Sequence, residues 1–127
     1  MKLLVVDDSS VTRKIIMAVA DALNMETEEA SDGIEAIEML SERPGDFDLV
    51  LLDWNMPDKS GYDVLVEIKS NSELSEIPVM MVTTEGQKSS IVAAIKAGAA
   101  NYLTKPFTVE DLVIKINECI GWGGEES

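Results

Sequence analysis

Lys2-Leu3-Leu4-Val5-Val6-Asp7-Asp8-Ser9-Ser10: four consecutive apolar residues run into two adjacent carboxylates, and two hydroxyl side chains follow. An unbroken apolar run of this length suits a strand covered on both faces, because a strand with one wet face would alternate apolar and polar residues. Asp8, Ser9 and Ser10 are helix-capping types, so the strand is expected to turn straight into a helix. The same arrangement recurs twice. Leu49 to Leu52 runs into Asp53, and Val79 to Val82 runs into Thr83, Thr84 and Glu85.

Helical spacing fills the intervals. Val11, Ile15, Val19 and Leu23 form one stripe, and Ile34, Ile37 and Leu40 a second. Gly61, Leu65 and Ile68 form a third, Ile91, Ile95 and Gly98 a fourth, and Val109, Leu112, Ile116 and Ile120 a fifth. Weaker strands are expected near Glu26 to Ala30 and Ala100 to Leu103. Asp32-Gly33, Pro44-Gly45 and Ala97-Gly98 punctuate the pattern, and Thr108 followed by Glu110 and Asp111 opens the last helix. The reading is α/β: five βα units in one doubly wound parallel sheet with helices on both faces. Residues 1–120 make one domain, and the Gly-rich acidic stretch 121–127 is expected to fray.

Composition narrows the chemistry. The chain has 127 residues, 46% of them hydrophobic, enough for one ordinary core. It has no His and one Cys, which excludes Ser-His-Asp and Cys-His catalysis, His-ligated zinc, CxxC redox chemistry and an internal disulfide. With 24 acidic and 10 basic side chains the net charge is −14, so neither nucleic acid nor an anionic membrane is an expected partner. No stretch is apolar for the ~18 residues a membrane span needs, and a cytoplasmic protein is expected.

In open α/β sheets ligands bind beyond the carboxyl ends of the strands. There the sequence places Asp7 and Asp8, then Asp53, then Thr83, Thr84 and Glu85, then Lys105 and Pro106. In a parallel sheet all of these share one rim. Crowded carboxylates repel one another unless a cation intervenes, and a hard divalent ion with oxygen ligands, such as Mg²⁺, resolves the conflict. Asp53 beside a metal and a lysine is then a candidate carboxylate nucleophile for phosphoryl transfer, with Lys105 and the Thr83 hydroxyl as electrostatic helpers. Each residue alone has an ordinary explanation as a cap, a strand end or a surface charge; their recurrence at successive strand ends carries the argument.

Val5-Val6-Asp7-Asp8-Ser9, Asp53-Trp54-Asn55-Met56-Pro57 with Gly61, Val82-Thr83-Thr84-Glu85 and Lys105-Pro106-Phe107 together resemble the receiver domain of two-component response regulators. Within that family, the Asp53 run and Asn101-Tyr102-Leu103-Thr104-Lys105-Pro106-Phe107-Thr108 look most like the single-domain chemotaxis regulators. The resemblance implies a flavodoxin-like sheet in the order 2-1-3-4-5. It implies that Asp53 accepts a phosphoryl group from a histidine kinase, or from small phosphodonors, with Mg²⁺ held by Asp8, Asp53 and the Asn55 backbone carbonyl, and by Asp7 through water. Lys105 would contact the phosphoryl oxygens, Thr83 would swing to the phosphate, and Tyr102 would follow from exposed to buried. Asn55 and Glu85 would tune dephosphorylation. Such a receiver promotes only its own phosphorylation and dephosphorylation, so it is not an enzyme with a turning-over substrate.

The expected output is a changed α4-β5-α5 surface that binds a target, the flagellar motor switch being the first candidate, with a phosphatase as a further partner and the chain a monomer. A relay or scaffold receiver outside chemotaxis is the alternative. Thr84 is bulkier than the Ala common beside the switch Thr, and Gly86 and Gln87 stand where relatives often have Ala and Lys. An Asp-nucleophile phosphatase of the haloacid type would want Asp where Asn55 stands, and a flavin site would want a Ser/Thr/Gly-rich loop where Asp7 and Asp8 stand. Charge is unevenly spread: residues 21–85 hold 17 acidic and 3 basic side chains, whereas 86–120 hold 3 and 4. The expected output face is therefore the least acidic part of the chain.

Overall fold

The protein alternates strand and helix ten times: β1 (Lys2–Val6), α1 (Ser10–Ala22), β2 (Glu26–Ala30), α2 (Gly33–Glu42), β3 (Leu49–Leu52), α3 (Gly61–Ser70), β4 (Val79–Thr83), α4 (Lys88–Lys96), β5 (Asn101–Thr104) and α5 (Val109–Ile120). The structure is a computed structural model and describes residues 1–121. Apart from Gly121, which ends α5 with φ +66°, the tail expected to fray lies outside the described residues. All pairings are parallel and the sheet order is β2-β1-β3-β4-β5, as expected. Among the described residues no helix is long and apolar enough to cross a membrane.

Successive strand residues point to opposite faces, and each face has its own core. Leu3, Val5, Leu49, Leu51, Met80 and Val82 pack with Ile16 of α1 and with Leu112 and Ile116 of α5. Leu4, Val6, Val50, Leu52, Val79 and Met81 pack with α2, α3 and α4 through Leu40, Leu65, Ile68 and Ala94. The fully covered strands explain the unbroken apolar runs.

The helical stripes need correction. Val11 and Ile15 lie on the exposed side of α1, whose buried residues are Ile16, Val19 and Ala20. In α2 the buried face is Gly33, Ala36 and Leu40, with Ile34 outside; in α4 it is Ala94, with Ile95 outside. Val109 of α5 is also exposed, while Leu112 and Ile116 are buried as expected. In α1, α2 and α4 the cause is common: small residues let a helix sit close to the sheet, and reading only large apolar residues rotates the apparent face.

Capping follows the sequence. Ser9, Asp32, Ser60 and Thr108 accept hydrogen bonds from the first-turn amides of α1, α2, α3 and α5, and Thr108 with Asp111 forms a full capping box. Helix α4 differs: its N-cap, Gln87, makes no side-chain capping bond.

Candidate functional site

Chain order turns around between β1 and β3, because the chain leaves β1 for β2 on one side and returns to β3 on the other. That switch point brings Asp7, Asp8 and Asp53 together, with carboxylate oxygens all within 4.8 Å of one another. The sheet's hydrogen bonding holds the rim just beyond the strand ends. Asp7 N–H donates to Ala30 O, Asp53 N–H to Val6 O and Lys105 N–H to Thr83 O, at 3.2, 3.0 and 2.9 Å. Each functional backbone is thus an extension of a ladder and not a free loop.

Asp7 is buried and fully engaged: Oδ1 accepts from Ser9 N–H at 2.9 Å, and Oδ2 accepts from Lys105 Nζ at 2.9 Å. Lys105 Nζ also lies 3.6 Å from Asp53 Oδ2, so one ammonium spans two carboxylates. Asp53 is 6% exposed and its Oδ1 accepts from Asn55 N–H at 3.3 Å. Asp8 faces solvent. Burial pushes the Asp53 carboxyl above its ordinary range, and the charge of Asp7 adds to this; the Thr83 hydroxyl, Lys105 and the Asn55 amide pull the other way. A buried carboxylate with raised proton affinity beside two more is a poor arrangement for three anions alone. It fits a hard divalent cation, for which Asp7, Asp8 and Asp53 supply oxygen donors.

Thr83 is completely buried at the end of β4, and its Oγ1 accepts from Glu85 N–H at 3.2 Å. Tyr102, half-buried on β5, donates its hydroxyl to the Glu85 carbonyl. Burial, then the charges of Glu85 and Asp53, push that phenol up to about 12, so it stays a donor. The carboxylate of Glu85, the residue expected to tune dephosphorylation, lies at the start of α4, where Oε2 accepts from Ser90 Oγ at 2.9 Å and from Gln87 N–H at 3.4 Å. Asn55, two residues after Asp53, is exposed. Trp54 packs against the core as expected and stacks on Tyr62, with ring centroids 5.3 Å apart. The Lys105–Pro106 bond is cis. Cys119 is partly covered and its thiol is pushed up to about 11 by burial, which makes it unreactive.

Two further contributors escaped the sequence reading. Arg13 donates from Nη1 to the Asp7 backbone carbonyl and from Nε to Glu29 Oε1, each at 2.6 Å, tying α1 and β2 to the acidic corner. An Arg one turn into the helix after Asp7-Asp8 was the available signal. Gly61 was read as part of an apolar stripe, but its role is closeness: a Cβ there would lie 1.9 Å from the Asp53 carbonyl oxygen.

A receiver-domain corner is what this geometry describes, and comparison with known proteins agrees. The chain belongs to the response regulator receiver domain family, whose model matches residues 3–117. Chemotaxis protein CheY1 of Helicobacter pylori is 44% identical over 122 residues, covering 95% of this chain and 98% of the relative. CheY-3 of Vibrio cholerae is 42% identical over 119 residues, covering 93% and 90%. Among solved structures, Vibrio cholerae CheY4 superposes with a TM-score of 0.85 at 30% identity, covering 93% and 97%. A receiver domain from Clostridium thermocellum superposes with a TM-score of 0.86 at 35% identity, covering 94% of each chain.

Proposed function

We propose that the protein is a phosphorylation-switched signalling receiver in which Asp53 is the acceptor. The observation that carries this reading is the juxtaposition of buried Asp53 with Asp7, Asp8 and the bridging Lys105. An Asp53 carboxylate oxygen attacks the phosphorus of a phosphohistidine on a partner kinase. The P–N bond breaks, its electron pair stays on the imidazole nitrogen, which takes up a proton, and an acyl phosphate forms on Asp53. The chain has no histidine, so that group must come from the partner. Mg²⁺ held by Asp8, Asp53, the Asn55 carbonyl and, through water, Asp7 would supply the positive charge the incoming phosphoryl oxygens need.

Lys105 would turn from Asp7 toward the phosphoryl group. Thr83 would exchange its bond to Glu85 N–H for one to phosphate, and Tyr102 would adjust with the Glu85 carbonyl it already holds. Asn55 and Glu85 would set the rate of water attack. The output is a changed α4-β5-α5 surface, and the naming of the relatives as chemotaxis proteins favours a flagellar motor target in a cytoplasmic monomer spanning residues 1–120. The test is intact-mass measurement after incubation with Mg²⁺ and acetyl phosphate or phosphoramidate. One phosphoryl group is expected, lost in Asp53→Asn and without Mg²⁺; no gain from small donors or a cognate kinase would overturn the reading.

A further inference from the structure

Glu85 is gripped at three points by three hydroxyl groups. Its N–H donates to Thr83 Oγ1, its carbonyl accepts from the Tyr102 hydroxyl, and its carboxylate accepts from Ser90 Oγ. The third grip has no counterpart in the proposed mechanism. Among the described residues α4 is also the one helix without a side-chain cap from its own N-cap residue, and the Glu85 carboxylate lies at that end, accepting from the N-cap Gln87 N–H and from Ser90 Oγ. A carboxylate at a helix N-terminus is favoured by the helix dipole. Ser90 is half-buried and its hydroxyl bond to Glu85, at 2.9 Å, is the shorter of the two that hold the carboxylate.

We propose that Ser90 is a positioning residue: its hydroxyl parks the Glu85 carboxylate on the first turn of α4 and keeps it off the path of water to a phosphorylated Asp53. The inference rests on Asp53 being the phosphoacceptor. Hydrolysis requires a water oxygen to attack phosphorus while the bond from phosphorus to the Asp53 oxygen breaks. That electron pair returns to the Asp53 carboxylate, and the water proton passes to the departing phosphate or to solvent. A carboxylate released into the space before the phosphoryl group brings negative charge and bulk against the approaching water. Formation of the acyl phosphate takes the Thr83 hydroxyl away from Glu85 N–H, so one grip is lost at the moment the other two are needed. Ser90 then decides whether the side chain follows its backbone.

The test is the lifetime of the acyl phosphate, followed by intact mass after loading with phosphoramidate and Mg²⁺ and removal of the donor. Ser90→Ala is expected to lengthen the lifetime about threefold, the effect of one added unit charge several ångströms away across water. Ser90→Thr, which keeps the hydroxyl, is expected to restore the original lifetime. In a Glu85→Ala background, Ser90→Ala is expected to change nothing, since there is no carboxylate left to hold. A lifetime in Ser90→Ala that is unchanged or shortened, or an equal effect of Ser90→Ala with and without Glu85, would overturn the proposal. Loading itself is the separate control: unmodified protein that gains no phosphoryl group refutes the acceptor reading, whereas normal loading with an unmoved lifetime refutes only the role of Ser90.

Discussion

Replacing Gly61 with Ala tests how Asp53 is held. Gly61 is the first residue of α3, and its N–H donates to the Trp54 carbonyl at 2.8 Å. A Cβ there would lie 1.9 Å from the Asp53 carbonyl oxygen, 2.7 Å from its carbon and 2.9 Å from the Trp54 Cα. All three are backbone atoms, so no rotamer change relieves the overlap. Either α3 or the Asp53–Trp54 peptide must retreat by roughly 1.5 Å to restore an ordinary contact. Overpacking of this kind costs ~1–3 kcal/mol, and the rigidity of the neighbours places Gly61→Ala at the upper end. Alanine's better helix propensity returns at most ~1 kcal/mol, and less at a first helical position. The expected net loss is about 2 kcal/mol, or about 5–10 °C in Tm for a domain of this size. Urea and thermal unfolding by far-UV circular dichroism measure it. Gly45→Ala is the internal control, since nothing lies within 4 Å of a Cβ there, and it should match the unmodified protein. Equal stability of Gly61→Ala and Gly45→Ala would refute the close-contact argument.

Two other expectations concern charge. Arg43 and then Lys2 hold the Glu28 carboxyl down at about 2 from 4.5, so its contribution is complete above pH 4.5 and is lost as pH falls toward 2. Arg43→Gln should therefore be less stable than the unmodified protein at pH 7, with the gap closing at pH 3; a gap unchanged with pH refutes the clamp. Asp53 has the opposite sign, because its folded pKa is raised: the charged form costs stability at neutral pH, and the cost vanishes as pH falls through the raised value to 3.8. In chelator at pH 7, Asp53→Asn should melt a few degrees higher than the unmodified protein. Mg²⁺ at 100 times its Kd should then stabilise the unmodified protein by about 2.7 kcal/mol and the variant by much less. Identical Mg²⁺ responses in both proteins would remove Asp53 from the ligand set.

What was legible in the sequence depended on physical redundancy. A parallel sheet needs uninterrupted apolar strands, and the ends of β1, β3, β4 and β5 carried residues that were ordinary singly and pointed to one chemistry together. Asp7, Asp8, Asp53, Thr83 and Lys105 could therefore be placed on one rim from the sequence alone. The buried faces of α1, α2 and α4 were less legible, because Ala20, Gly33, Ala36 and Ala94 carry the close packing and have weak hydrophobic signals. The bond between Glu85 and Ser90 was hidden for a different reason. It joins a carboxylate to a hydroxyl five residues away across the start of α4, and no periodicity records it. Arg13 and the closeness of Gly61 to Asp53 depend on distances across the chain that spacing does not encode.

The charge of the corner unites these observations. Asp7, Asp8 and Asp53 carry three negative charges, and Lys105 answers one of them. Arg13 adds no free cation, because its guanidinium is already shared between Glu29 and the Asp7 carbonyl. The remaining excess of two is what a single divalent ion cancels and a monovalent ion leaves half unmet. An acyl phosphate replaces the one charge of Asp53 with the greater negative charge of a phosphoryl group, about −1.5 to −2 at neutral pH. The new negative charge stands farther out than the old, while the Lys105 ammonium rests closer to Asp7, at 2.9 Å, than to Asp53, at 3.6 Å. On the proposed function, phosphorylation would change which anion holds Lys105, and the backbone bond from Lys105 to Thr83 O would couple that exchange to the strand pair carrying Thr83 and Tyr102.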